Sequence, residues 1–100
     1  MTVTVVTYRT QQDRADENQA LVEAVFAELA ETAPAGLHYD TYRLDDGVSF
    51  VHVATVEGDT NPLQAVPAFQ AFLAGIADRC EKGPLASNAI RVGHYEPRDH

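Results

Sequence analysis

Between Val48 and Val56 the even positions read Val, Phe, His, Ala, Val and the odd ones Ser, Val, Val, Thr. A side-chain period of two sends these sets to opposite faces of a strand, and both are largely apolar. Such a strand needs cover on both sides. Upstream, Thr2–Arg9 is short and rich in Val, Thr and Tyr, the make-up of a first strand. The period then changes. After Thr10-Gln11-Gln12, Asp13 is a good N-cap residue, and from Arg14 to about Thr32 the residues Val22, Val25, Phe26 and Leu29 form one stripe flanked by Leu21. Asp16, Glu17, Glu23, Glu28 and Glu31 fall on the opposite arc, as in a helix lying one-sided on a sheet; Pro34 and Gly36 end it.

Strand character resumes over Leu37–Leu44, and Asp45-Asp46-Gly47 signals a hairpin into strand three, because Gly accepts the positive φ such turns require. Beyond the Gly58-Asp59-Thr60 loop, Asn61-Pro62 pairs a cap residue with Pro at the first helical position. Pro67 divides the second helical region into a short turn and a longer helix whose stripe is Phe69, Phe72, Leu73, Ile76 and Cys80, with Gly83-Pro84 as its stop. Ala89–Tyr95 reads as the last strand and Glu96–His100 as a polar tail.

The order β-α-β-β-α-β is the split β-α-β arrangement, an α+β ferredoxin-like domain spanning residues 1–100. Right-handed crossovers give an antiparallel sheet ordered 4-1-3-2 with both helices on one face. The doubly apolar third strand is then central, and its uncovered face calls for a second copy of the chain. One hundred residues suffice for a single core but not for two.

A net charge of −8 and an isoelectric point near 4.7 oppose nucleic-acid phosphates and anionic membranes. No apolar run approaches the roughly 20 residues that span a bilayer, and Met1–Val6 reads as a strand rather than a signal peptide, leaving the cytoplasm as the expected compartment. A single cysteine, Cys80, rules out an intrachain disulfide or a multi-cysteine metal site; on its helix stripe it reads as a small core residue.

With the element order, the Pro34-Ala35-Gly36-Leu37 entry to strand two, the Leu44-Asp45-Asp46-Gly47 turn and Phe50-Val51-His52-Val53 running toward a helix through an acidic loop, the chain resembles the dimeric α+β-barrel superfamily, in its antibiotic-biosynthesis-monooxygenase-like branch. The resemblance covers residues 3–95. It implies a homodimer with two sheets face to face and a pocket in each protomer, serving functions from cofactor-free oxygenation of phenols to haem cleavage, lactone isomerisation and plain binding; fold does not choose among them. Oxygenating members carry an Asn on strand three followed four residues later by a Trp; here His52 and Val56 hold those places, and the chain has no Trp. Haem-cleaving members carry an Asn on strand one and a ligating His near the second helix. This strand one has no Asn and residues 62–82 contain no His, so haem degradation is not expected.

His52 is the candidate acid–base residue: a titratable ring among Val and Phe must find a partner, and near neutral pH it suits proton exchange with a phenol or enol. A hydrogen-bonded interior histidine is the alternative. Its neighbours depend on the hairpin register. A three-residue loop sets Asp40 opposite His52 with Tyr42 opposite Phe50, whereas a two-residue loop sets Thr41 opposite His52 with Tyr39 and Arg43 on that face. Asp40, Tyr42, Tyr39, Phe50 and Arg91, on the expected last strand, are the candidate ligand-binding residues, and Tyr8 and Tyr95 join the tyrosines that would line an aromatic pocket. His38, His52 and His94 are too scattered to make a metal site, and no cofactor is expected. The sequence thus leads to a small-molecule-binding homodimer, with cofactor-independent monooxygenase or isomerase chemistry on an aromatic or enolisable substrate, or else to a non-catalytic ligand-binding or assembly module.

Overall fold

In the computed structural model, which describes residues 1–98, nine residues of strand β1 (Thr2–Thr10) run beside strand β3 (Ser49–Val56) through the middle of a four-stranded antiparallel sheet. Strand β2 (Leu37–Arg43) and strand β4 (Cys80–Ala89) form the edges, in the order β2-β3-β1-β4. The expected order therefore stands. A 3-10 turn at Gln12–Arg14 precedes helix α1 (Ala15–Thr32). The second helical region is a 3-10 turn at Pro62–Ala65, helix α2 (Pro67–Ala74) and a one-turn helix α3 (Ile76–Arg79).

Local chemistry sets these boundaries. Asp13 falls within the 3-10 turn rather than capping α1, whose N-cap position is Arg14. Ala33 ends that helix in the left-handed region at φ 44°, its N–H returning to the Leu29 carbonyl. The Asn61 side chain accepts from Leu63 N–H and starts the second region with Pro62 behind it, as the cap-plus-Pro pattern dictates.

Two expectations give way at the C-terminal end. The helix stops at Arg79, before Gly83-Pro84, and the last strand is Cys80–Ala89, not Ala89–Tyr95. Residues 81–89 carry Lys, Gly, Pro, Ser and Asn, poor strand formers in the interior of a sheet. At an edge the requirement relaxes, since one row of backbone groups has no partner to lose and Pro is tolerated there. β4 follows β1 with register shifts opposite Thr7–Thr10, and there Gly83, at φ +92°, comes so close that a Cβ would sit 3.1 Å from Tyr8 Cα and the Thr7 carbonyl. Residues 90–98 have no regular structure; Ile90, Arg91, Val92 and Tyr95 are exposed, and the last two positions of the polar tail lie outside the described residues.

The hairpin takes the register in which Thr41 faces His52 and Asp40 faces Val53. Four residues, 45–48, separate the last bonded pair, since Leu44 N–H donates to Ser49 O. Asp46 clamps the turn by accepting from the N–H groups of Val48 and Ser49, and Gly47 supplies φ 78°. On the helix side of the sheet Tyr8, Phe50, Ala15, Val22, Val25, Leu63 and Phe72 make the core. Among the described residues no helix lies over the other side, centred on Val3, Val5, Val51 and Val53.

Candidate functional site

β3 turns His52 toward the helices, and three hydroxyls from the two flanking strands meet its ring. Tyr8, on β1, lies diagonally across and brings Oη to 2.7 Å from Nε2. Tyr39 and Thr41, successive same-face residues of β2, bring Oη to 2.6 Å and Oγ1 to 3.1 Å from Nδ1. Phe72 packs against the imidazole with ring centroids 5.3 Å apart, and Phe26 stacks on Tyr39 at 5.0 Å.

A second layer fixes the polarity of the cluster. Arg79 donates from Nε to Asn18 Oδ1 at 3.0 Å and from Nη2 to the Phe72 carbonyl at 2.6 Å. That carbonyl is among the last of α2, which lack intrahelical donors. A guanidinium only donates, so the Asn18 carbonyl must face it and the Asn18 amide N–H₂ must face Tyr8, to whose Oη it donates at 2.8 Å. Tyr8 is therefore an acceptor on one side, and its own hydrogen is left for His52 Nε2 or for the space in front of it.

Burial holds the His52 imidazole down at about 4, so the ring is neutral at physiological pH and one nitrogen donates while the other accepts. Burial also raises the Tyr8 phenol well above the usual range, against the lowering effect of the Asn18 bond. Tyr39 is raised by burial as well, opposed by its bond with Thr41. The resting site thus holds two neutral phenols and a neutral imidazole.

In front of this cluster lies a partly enclosed cavity of about 190 Å³. Tyr8, Tyr39 and His52 form one polar wall, Thr4 and Asn61 add polar groups elsewhere, and Leu63, Phe69, Phe72 and Ile76 form the apolar walls. A dry apolar cavity of about 150 Å³ takes up benzene, so this space suits one or two rings. Both nitrogens of His52 are already engaged by the protein. A bound molecule would meet the tyrosine hydroxyls rather than the imidazole nitrogens. Among the described residues no group of His, Cys, Asp and Glu has the arrangement of a metal site, and no helix is long and apolar enough to cross a membrane.

The other candidates are placed elsewhere. Asp40 and Tyr42 belong to the open face of the sheet, and Asp40 makes no pair with His52 because the register puts Thr41 there. Phe50 is on the helix side, stacked on Tyr8 at 5.5 Å, where it supports the hydroxyl from behind. Arg91 and Tyr95 lie past β4 on exposed backbone, so neither is brought to the cavity. Two site residues escaped the sequence reading altogether: Asn18 and Arg79. Their signal was present, for Asn18 continues the buried run Ala15, Asn18, Val22, Val25, and Arg79 follows Phe72 and Ile76 at helical spacing. A polar residue on an apolar stripe marks a buried polar network.

No protein-family model matches the chain, and no curated protein does. Solved structures do. Rv0793 from Mycobacterium tuberculosis superposes with a TM-score of 0.73 at 15% identity, covering 95% of this chain and 98% of that one. A candidate antibiotic biosynthesis monooxygenase from Nitrosomonas europaea gives 0.75 at 14% identity over 93% of this chain and 100% of its own. PA3566 from Pseudomonas aeruginosa gives 0.73 at 18%, over 92% and 94%. The chain thus shares its fold with these solved structures, one of which is named for antibiotic biosynthesis monooxygenase. Identities this low carry architecture and leave the chemistry to the site.

Proposed function

We propose that the protein binds a flat, largely apolar molecule bearing one hydroxyl or carbonyl oxygen, and acts on it without a cofactor in the manner of a monooxygenase or isomerase. The observation that carries this reading is the placement of two neutral tyrosine hydroxyls and a neutral imidazole at one wall of a largely apolar cavity. Apolar walls supply affinity, and a few convergent polar groups fix orientation. The similar protein from Nitrosomonas europaea, named as a candidate monooxygenase, is in keeping with the oxygenase branch. Absence of a Trp near His52 and the pairing of His52 with two phenols favour proton exchange over oxygenation.

A second reading rests on a specific observation: every nitrogen of His52 is bonded within the protein, as a purely structural histidine requires. In that case the cavity binds without turnover. A panel of naphthols, tetralones and hydroxyquinones followed by two-dimensional NMR separates the possibilities. Shifts concentrated at Leu63, Phe69 and Ile76 would support binding, and turnover of any bound compound would support catalysis. A panel that perturbs none of these residues would remove the small-molecule reading. We further propose that two copies close their open sheet faces on each other, because Val3, Val5, Val51 and Val53 otherwise meet water.

A further inference from the structure

The run of hydrogen bonds from Arg79 to Tyr39 has a direction at one end and a choice at the other. Arg79 and Asn18 can only be arranged one way, with Asn18 donating to Tyr8. His52 has two neutral forms. With hydrogen on Nδ1, Tyr8 donates to Nε2 and the ring donates to Tyr39. With hydrogen on Nε2, Tyr8 accepts from both Asn18 and His52, and its own hydrogen has only the cavity to point into, while Tyr39 donates to Nδ1.

Resting on the small-molecule reading above, we propose that Tyr8, His52 and Tyr39 form a two-ended proton shuttle for an enolisable ring ketone, with Tyr8 as acid at its oxygen and Tyr39 as base at the adjacent carbon. The two hydroxyls hold opposite nitrogens of one imidazole and line the same cavity, so in this scheme one ring ketone presents its oxygen to Tyr8 and its neighbouring C–H to Tyr39. Starting from the Nε2–H form, Tyr8 gives its proton to the carbonyl oxygen and takes one from Nε2. Tyr39 gives its proton to Nδ1 and takes one from the carbon. The electron pair of the C–H bond becomes the enol double bond, and a C=O pair takes up the new O–H. Both tyrosines end as they began, and the ring has passed from the Nε2–H to the Nδ1–H form. Ketonisation resets it.

Three features fit this assignment. No group in the relay becomes an ion, which suits a site where burial penalises charge. Negative charge developing on the ketone oxygen falls at the Tyr8 end, the end tied through Asn18 to a buried cation. Every proton moved has a donor and an acceptor already within 2.7 Å along the protein part of the path. Tyr8 and Tyr39 touch substrate in this scheme; His52 acts through them.

The test uses the intact protein in deuterated buffer with 2-tetralone, whose benzylic carbon beside the carbonyl is acidic. Protein NMR reads binding, and loss of the benzylic proton signal reads exchange. The wild type should bind the ketone and exchange its proton faster than buffer. His52→Gln is the informative variant: Gln accepts at Oε1 and donates at Nε2, preserving both bonds to the tyrosines, but it does not pass a proton between them. It should keep binding and lose about 100-fold or more in exchange. Tyr8→Phe and Tyr39→Phe should each lose as much as the double variant, since a relay broken once is broken. Binding without accelerated exchange, wild-type exchange in H52Q or Y39F, or additive losses from the two tyrosines overturn the shuttle and leave the binding site standing. A ketone that shifts no cavity residue overturns the reading beneath it as well.

Discussion

Arg79 and Asn18, separated by 61 residues in sequence, meet through a 3.0 Å bond with exposures of 2% and 0%. Among the described residues no carboxylate lies at ion-pair distance from this guanidinium. Its compensation is an amide oxygen, a main-chain carbonyl and the face of Phe72, 5.3 Å away. Removing one partner of a buried charge costs far more than replacing the whole arrangement by apolar groups. Asn18→Leu should therefore destabilise the fold by about 3 kcal/mol, and N18L combined with R79M should recover part of the loss. Urea denaturation decides it; an N18L protein as stable as wild type would show that Asn18 does not compensate the cation.

Acid should unfold the protein in two separable steps. His52 is held near 4 by burial, whereas an unfolded histidine takes up its proton at about 6.5, so the unfolded state binds more protons between those values. Stability is full above 6.5 and falls as the pH drops to about 4, by about 3 kcal/mol. Asp46 is displaced in the same direction but lower on the scale: its bonds to Ser49 and Val48 hold it at about 2, so its contribution is lost only as the pH falls from the ordinary 3.8 toward 2. In H52Q the upper step should vanish and the lower one remain. An unchanged slope between pH 6.5 and 4 in that variant would assign the upper step to another group.

Gly83 and Gly58 make a matched pair. An alanine at 83 combines φ +92° with contacts of 3.1 Å to the backbone of Thr7 and Tyr8, while at 58 nothing lies within 4 Å. Gly83→Ala should cost about 2 kcal/mol, lowering the melting temperature by roughly 10 °C in a domain of this size. Gly58→Ala should stay within about 0.5 kcal/mol of wild type. Equal melting temperatures for the two variants would mean that β4 does not press on β1 as described.

The open sheet face makes an assembly prediction. Light scattering at micromolar concentration should return twice the 10.9 kDa chain mass, and Val53→Asp, placing a charge at the centre of that face, should return one. A monomeric wild type would set aside the dimer, and a dimeric V53D would move the interface elsewhere.

Strand β3 was legible because its residues obey one period throughout, and the order of the sheet followed from it. β4 was not, since an edge strand next to a helix lets Gly83, Pro84 and Asn88 stand where an inner strand would not, and Ile90, Val92 and Tyr95 mimic a strand beyond it. His52 stood out as a polar ring in an apolar run. Asn18 and Arg79 carried the same mark on helices, yet nothing local joins two residues 61 positions apart, because their meeting is a product of the fold. The hairpin register lay beyond local reading: Asp45-Asp46-Gly47 suits loops of more than one length, and the outcome depends on Asp46 holding Val48 and Ser49.

That clamp gives the turn a heritable consequence. β3 is fixed by β1, so deleting one residue between Asp45 and Val48 would draw β2 along by one position and bring Asp40 opposite His52 in place of Thr41. Tyr39 would leave the cavity, and a carboxylate would enter it. A single-codon deletion at the surface, remote from the cavity, would exchange a hydroxyl-flanked imidazole for an acid-flanked one, so that lineages differing only in turn length would inherit different chemistry.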